Sequence, residues 1–336
     1  MAKTVSEYYY LNYSKCEIDD SFFASSDSLF YSYRVIQCIA SPIQLFTFYM
    51  ILKRTPGKMS AAKFPLLVLH FFCTFQDFQF FTLTTPYMFF PSMGFLGVGF
   101  LSYIGVSMVW QNMIMYFSAY STGFSIVHLF ESRSSSISSN IFKIKKTRTR
   151  IIYYIFLWSI PMLLTFSIFS RPPKPCPTQE FFLPSTFILL DTFWTSIFMT
   201  KIVPVIAIFV LFQAGFFVGC SIYYLYIAPA NITSSRTRRQ QRHFFVGIII
   251  QTSVPIIVTT LPYTIFAIEL LRGQLTQRMT NLVTITVGCH GSIASIAILM
   301  VHQPYRQNIF RKLHFESETA EVKFFVSYHR SSDTRI

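Results

Sequence analysis

Seven long apolar stretches, at 29–52, 64–86, 99–127, 151–170, 200–227, 244–268 and 279–301, constrain this chain more than any other feature. An α-helix rises about 1.5 Å per residue, so about 20 apolar residues cross a hydrocarbon core of about 30 Å. Every stretch is long enough. The expected fold is an all-α membrane protein, a seven-transmembrane helix bundle with a short amphipathic C-terminal helix. It divides into an N-terminal tail at 1–28, a membrane domain at 29–301 and a helix with a tail at 302–336. Only 12% of the residues are charged, against about 25% in a soluble domain. The net charge of +14 would suggest nucleic acid in a soluble protein. Here basic residues gather at membrane faces for their own reason, so lipid is the expected surface partner and nucleic acid is not.

The distribution of Lys and Arg orients the bundle. Twenty lie in alternate gaps and in the segment after Val301, including Lys53, Arg54, Arg133, Lys145, Arg150, Arg238, Arg239 and Arg306. The opposite set holds seven: Lys3, Lys15, Arg171, Lys174, Lys201, Arg272 and Arg278. The positive-inside rule then predicts an outer N-terminus and a cytosolic C-terminus. Asn12-Tyr13-Ser14 is a glycosylation sequon in the predicted outer tail. Cys16 and Cys176 are the two cysteines in predicted outer segments, where they could form a disulfide or stay as unrelated thiols. Cys38, Cys73, Cys220 and Cys289 read as small packing residues. The aromatic stretch at 181–198 could cover the bundle or open the fifth helix. Beyond the last span, Ile309, Phe310, Leu313 and Phe315 alternate with Arg311, Lys312 and His314, the pattern of a helix lying on the inner leaflet.

Ionisable residues at membrane depth are costly and mark functional sites. Asp77 lies about 20 Å, and His290 about 16 Å, from the inner ends of their stretches at helical rise. In a seven-helix bundle of receptor type the second and seventh helices are neighbours. Asp77 and His290 are therefore expected to face each other, either as a two-state polar switch or as a static pair that fixes helix register. His70 reads as a helix–helix hydrogen bonder. Gln76, Gln79, Gln111, Asn112, Gln213 and Gln251 read as polar glue between helices. Tyr103, Ser107, Trp110, Gln111 and Ile114 recur at spacings of three and four, which predicts one helix face and a pocket wall for a small ligand. Pro255 and Pro262 predict a kinked sixth helix, as a pivot or as plain packing.

Catalytic and metal-ligating patterns are weak. The chain has no His-Glu-x-x-His, no Gly-x-Ser-x-Gly and no P-loop, and its His, Cys and carboxylates lack metal-ligand spacing. Neither enzyme activity nor a cofactor or metal is expected. A seven-helix transporter or ligand-gated channel is the alternative, although neither related halves nor a filter-like segment is visible.

From Pro42 to Arg306 the order of motifs resembles the nematode serpentine chemoreceptors of class H. The carriers are Pro42-Ile43-Gln44-Leu45-Phe46, Lys53-Arg54-Thr55-Pro56-Gly57-Lys58-Met59, Leu69-His70-Phe71-Phe72 before Asp77, and Leu83-Thr84-Thr85-Pro86-Tyr87. Further along stand Glu131-Ser132-Arg133, Gln251-Thr252-Ser253-Val254-Pro255, His290-Gly291 and His302-Gln303-Pro304-Tyr305-Arg306. The resemblance implies a G-protein-coupled receptor of the plasma membrane, in sensory neuron cilia. It would bind an odorant or pheromone and act on a heterotrimeric G protein. On that reading Glu131, Arg133, Arg150, Arg238, Arg239 and Arg306 are the G-protein contact candidates. The chain departs from rhodopsin-type receptors: it lacks Asp-Arg-Tyr after the third stretch and Asn-Pro-x-x-Tyr in the seventh.

Overall fold

The computed structural model describes residues 21–89, 94–170, 187–188, 194, 197–228, 235–272 and 274–311. Among them are seven helical spans long and apolar enough to cross a membrane. Helices α1 (Ser26–Arg54) and α2 (Ser60–Phe78, continued by a π-helical turn Gln79–Leu83) form the first two. Helices α3 (Met108–Ser135) and α4 (Thr147–Phe169) follow. Then come α5 (Val203–Ile222, between π-helical turns Phe198–Ile202 and Tyr223–Ile227) and α6 (Ser235–Arg272). The seventh span is two helices, α7 (Gln277–Gly288) and α8 (His290–Val301). A last helix, α9, covers 303–311.

Local chemistry sets several boundaries. Ser25 accepts a hydrogen bond from the Ser28 N–H at the start of α1, and Thr276 caps α7 through the Met279 N–H. Thr55 precedes Pro56, and a residue before proline is pushed out of the helical region, so α1 stops at Arg54. The third span does not begin where its apolar stretch does. A single turn, Phe100–Tyr103, is followed by Gly105 at φ +79°, a left-handed conformation that glycine adopts without penalty. The helix restarts at Met108 and runs on to Ser135, past the end of the apolar stretch.

The bundle is not purely helical. Strands β1 (Pro86–Phe89) and β2 (Gly94–Gly97) pair antiparallel, with Pro86 opposite Gly97 and Phe89 opposite Gly94. A two-residue β3 (Phe187–Ile188) pairs antiparallel with β2. The Gln277 side chain, at the start of α7, donates to the Met88 carbonyl at 2.9 Å and ties this small sheet to the seventh span.

The seventh span is the centre of the packing: 67% of its most apolar window is buried, against 11% for the fifth, which presents Val205, Ile208, Phe209 and Phe212 outward. The seventh packs against α1, α2 and α6, while α3 packs along α2 and α5. Polar contacts lock these neighbours. Tyr33 donates to the Thr284 carbonyl at 2.7 Å, and the Asn281 amide donates to the Phe23 and Ser25 carbonyls. Helix α9 folds back onto the bundle: Tyr305 is fully buried with its hydroxyl 2.7 Å from that of Thr55, and Ile309 packs beside it. Burial raises the affinity of the Tyr305 phenol for its proton.

Candidate ligand cavity and polar centre

Asp77 sits in the last turn of α2, completely buried. Its Oδ1 accepts from the Gly291 N–H at 2.8 Å, and its Oδ2 accepts from the Ser292 hydroxyl at 2.6 Å and the Gln44 amide at 2.8 Å. Three spans thus converge on one carboxyl group. The geometry follows from the break in the seventh span. Cys289, at φ −81° and ψ −1°, ends α7, and α8 begins at His290. The first N–H groups of a helix have no partner within it, and the helix N-terminus favours a negative charge. The Gly291 N–H therefore points at Asp77. Only glycine permits this approach: a Cβ at position 291 would lie 2.3 Å from the Cys73 carbonyl oxygen and 2.7 Å from Asp77 Oδ1.

His290 adjoins this centre, with Nδ1 3.3 Å from Asp77 Oδ1 and 3.2 Å from the Val287 carbonyl. The expected juxtaposition of Asp77 and His290 is present. Gln44, Gly291 and Ser292, which hold the carboxyl group more closely, were not anticipated. A signal existed for Gln44: it lies ten residues before the end of the first span, about 15 Å in, near the depth of His290.

Beside the polar centre lies a cavity of about 410 Å³, within the size range of small-molecule sites. The second, third, fifth, sixth and seventh spans wall it. Leu69, Ile126, Ile206, Val210, Ala294 and Ile298 supply apolar surface, and His70, Gln76, Thr122, Gln251, Thr252 and His290 the polar groups. Leu211 and Ile256 line it too, yet are 62% and 41% exposed, so the cavity reaches the bundle surface between α5 and α6. His70 donates from Nε2 to the Gln44 carbonyl, 3.1 Å away, as a helix–helix contact should. The Thr122 hydroxyl donates to Gln76 across α2 and α3, and His302 contacts Gln251 across the end of the seventh span and α6. Gln213 accepts from the Tyr153 hydroxyl between α4 and α5. Gln79 and Gln111 serve locally instead, bonding Thr84 and Ser102 respectively.

The proposed pocket wall on the third span does not form as a single face. The interruption at Gly105 breaks the helical phase: Tyr103 is 88% exposed, Ser107 and Trp110 are exposed, and Gln111 is buried against Ser102 and the Val106 carbonyl. None of these four lines the cavity, whose α3 wall is built about two to four turns beyond Gln111, at Ala119, Tyr120, Thr122, Gly123 and Ile126.

The expected contact residues at the basic end divide. Glu131 is fully buried and cannot face a partner in this conformation; its carboxylate meets Arg150 at 3.1 Å and accepts from the Ser135 and Tyr154 hydroxyls, both at 2.7 Å. Arg133 donates to the Gln241 carbonyl at 2.8 Å and stacks over the Phe244 ring, joining α3 to α6. Arg238 donates to the Leu225 and Ala228 carbonyls, which end the fifth span. Arg239 and Arg306 are exposed, Arg306 also reaching the Met300 carbonyl. Asn12, Cys16 and Cys176 lie outside the described residues.

Comparison with known proteins agrees with this architecture over nearly its whole length. Residues 24–315 match the family described as serpentine type 7TM GPCR chemoreceptor Srh. A Caenorhabditis elegans protein, serpentine receptor class H-72, is 32% identical to the chain in an alignment covering 90% of this chain and 91% of the relative.

Proposed function

Because the chain belongs to the Srh family of serpentine seven-transmembrane chemoreceptors, we propose that it binds a small environmental chemical, an odorant or a pheromone, and activates a heterotrimeric G protein. The observation that carries this reading is the cavity of about 410 Å³ walled by five spans and bordered by the Asp77 centre. A ligand that fits one arrangement of those spans better than another shifts the population toward it. Asp77 and His290 join the second and seventh spans at one point, where a change in relative position would alter the most hydrogen bonds, so they act as the polar switch. The excess of Lys and Arg at one end supports a cytosolic position for that end and an outer N-terminus. The family likeness suggests the plasma membrane of sensory cilia. Arg239 and Arg306 are the exposed cations offered to the G protein, while Arg133 and Arg150 become available only if their internal contacts open.

The test is a chemical screen in a heterologous cell with a second-messenger readout. A dose-dependent response abolished by removing the G protein is expected. A ligand-evoked current that survives the removal would instead support a seven-helix channel or transporter. In the same cells Asp77→Asn should alter signalling while surface expression is retained; loss of expression alone would reduce the pair to a register-fixing contact.

A further inference from the structure

Two histidines face the cavity with one ring nitrogen each left over. His70 is fully buried and His290 is 6% exposed, and both line the cavity wall. His70 Nδ1 and His290 Nε2 have no hydrogen-bond partner among the described residues. The other nitrogen of each ring fixes what the free one can do. His70 Nε2 lies 3.1 Å from the Gln44 carbonyl, which only accepts, so Nε2 carries the hydrogen and Nδ1 presents a lone pair. His290 Nδ1 lies 3.2 Å from the Val287 carbonyl and 3.3 Å from Asp77 Oδ1, again two acceptors. It therefore carries the hydrogen, and Nε2 is the lone pair. The 3.3 Å separation is longer than the roughly 2.7–2.9 Å of a charge-assisted bond, and Asp77 already takes three shorter bonds, so the ring is held as a neutral imidazole.

Three threonine hydroxyls of the cavity are turned elsewhere: Thr122 shares its hydrogen between Gln76 and the Ser118 carbonyl, Thr252 donates to the Ile248 carbonyl and Thr259 to the Pro255 carbonyl. The Tyr120 hydroxyl also borders the cavity but bonds neither imidazole. Both lone pairs thus lack a hydrogen from the described residues, and an unmatched buried acceptor is costly. We propose that the ligand of this cavity is an apolar molecule bearing a hydroxyl or amine hydrogen, which it donates to His290 Nε2 or His70 Nδ1. His290 then has one nitrogen on the ligand and the other beside Asp77, which couples occupancy of the cavity to the junction of the second and seventh spans. This inference rests on the reading of the cavity as the ligand site.

The experiment uses the full-length receptor in lipid nanodiscs and a panel of medium-chain and terpenoid alcohols, each paired with its methyl ether. Binding is read from ligand-induced shifts in melting temperature at equal bilayer concentration. Each bound alcohol should exceed its ether in apparent affinity by roughly tenfold to a hundredfold. His290→Phe with His70→Phe should erase that preference, and His290→Gln with His70→Gln, which restore an acceptor oxygen, should retain part of it. If the Phe variants fail to fold, the preference of the unmodified receptor and its retention in the Gln variants carry the test. Equal binding of alcohols and ethers, reduced alike when Ala294→Phe fills the cavity, overturns the donor requirement and leaves the cavity as the ligand site. Binding indifferent to Ala294→Phe, or no binding by either series, overturns both.

Discussion

Substituting Gly291 with alanine tests whether the close approach of the second and seventh spans holds the bundle together. The added Cβ would lie 2.3 Å from the Cys73 carbonyl oxygen, where ordinary contact begins at 3.4 Å. That oxygen belongs to the backbone of α2, so no side-chain rotation relieves the overlap, and the spans must part by about 1 Å. The Gly291 N–H to Asp77 bond, now 2.8 Å, would then stretch to roughly 3.8 Å, outside hydrogen-bond range. Overpacking costs about 1–3 kcal/mol, and a lost bond to a charged group about 1.5–3 kcal/mol. Alanine returns up to about 1 kcal/mol through its helical propensity. The net expectation is a destabilisation of about 2–5 kcal/mol. A thiol-reactive fluorophore can follow unfolding, because Cys73 and Cys220 are buried and become reactive as the bundle opens, while exposed Cys38 sets the baseline. Gly215→Ala is the control: nothing lies within 4 Å of its Cβ position, so it should melt at or above the parent temperature. If Gly291→Ala melts with the parent as well, the junction is not tightly packed and the argument fails.

Arg150→Ala strips the buried Glu131 carboxylate of its cation. With Arg150 36% exposed and partly screened, the cost should be about 1–3 kcal/mol, and adding Glu131→Gln should recover part of it in the same melting assay. His302, at the end of the seventh span, gives a pH dependence. Burial pushes its imidazole down to about 4 from 6.5, and its Nε2 sits 2.7 Å from the side-chain amide oxygen of Gln251. The folded state thus resists a proton that the unfolded chain takes up at pH 6.5. Stability is intact above that pH and declines by about 3 kcal/mol as the pH falls to about 4. Melting of His302→Gln should lack that part of the slope; an unchanged slope would show that His302 does not titrate with unfolding.

The spans were legible because each apolar stretch has one physical solution in lipid, and five of the seven begin within four residues of their helices. The third, which departs furthest, is instructive. Hydropathy cannot register the left-handed turn at Gly105, nor that polar residues from 128 to 135 continue α3 because Glu131 and Ser134 are buried inside the protein. The strands were hidden for a similar reason: Pro86, Gly94 and Gly97 read as turn residues, and β3, the second partner of β2, lies far along the chain. Asp77 and His290 could be matched by depth, since ionisable groups are rare in spans. Gln44 and Ser292 are of common types, and only the break at Cys289 gives Ser292 its role. The basic residues were counted correctly, but a count does not reveal that Arg133, Arg150 and Arg238 bond a carbonyl, a carboxylate and the end of a helix respectively.

The Asp77 centre also bears on how the chain is made. Gly291 follows Asp77 by 214 residues, so at about 5–20 residues per second the second span exists for roughly 10–40 s before the N–H that binds its carboxyl group has been synthesised. Through that interval Gln44, 33 residues upstream, is the one described partner present to hold it. An ionisable group alone at membrane depth is costly, so the nascent first two spans form a provisional hairpin whose polar core awaits the last. A chain cut short anywhere before α8 keeps that defect permanently. Completion of the seventh span is thus the event that distinguishes a finished receptor from a fragment at the translocon, and truncations there should be retained and degraded however well the preceding spans insert.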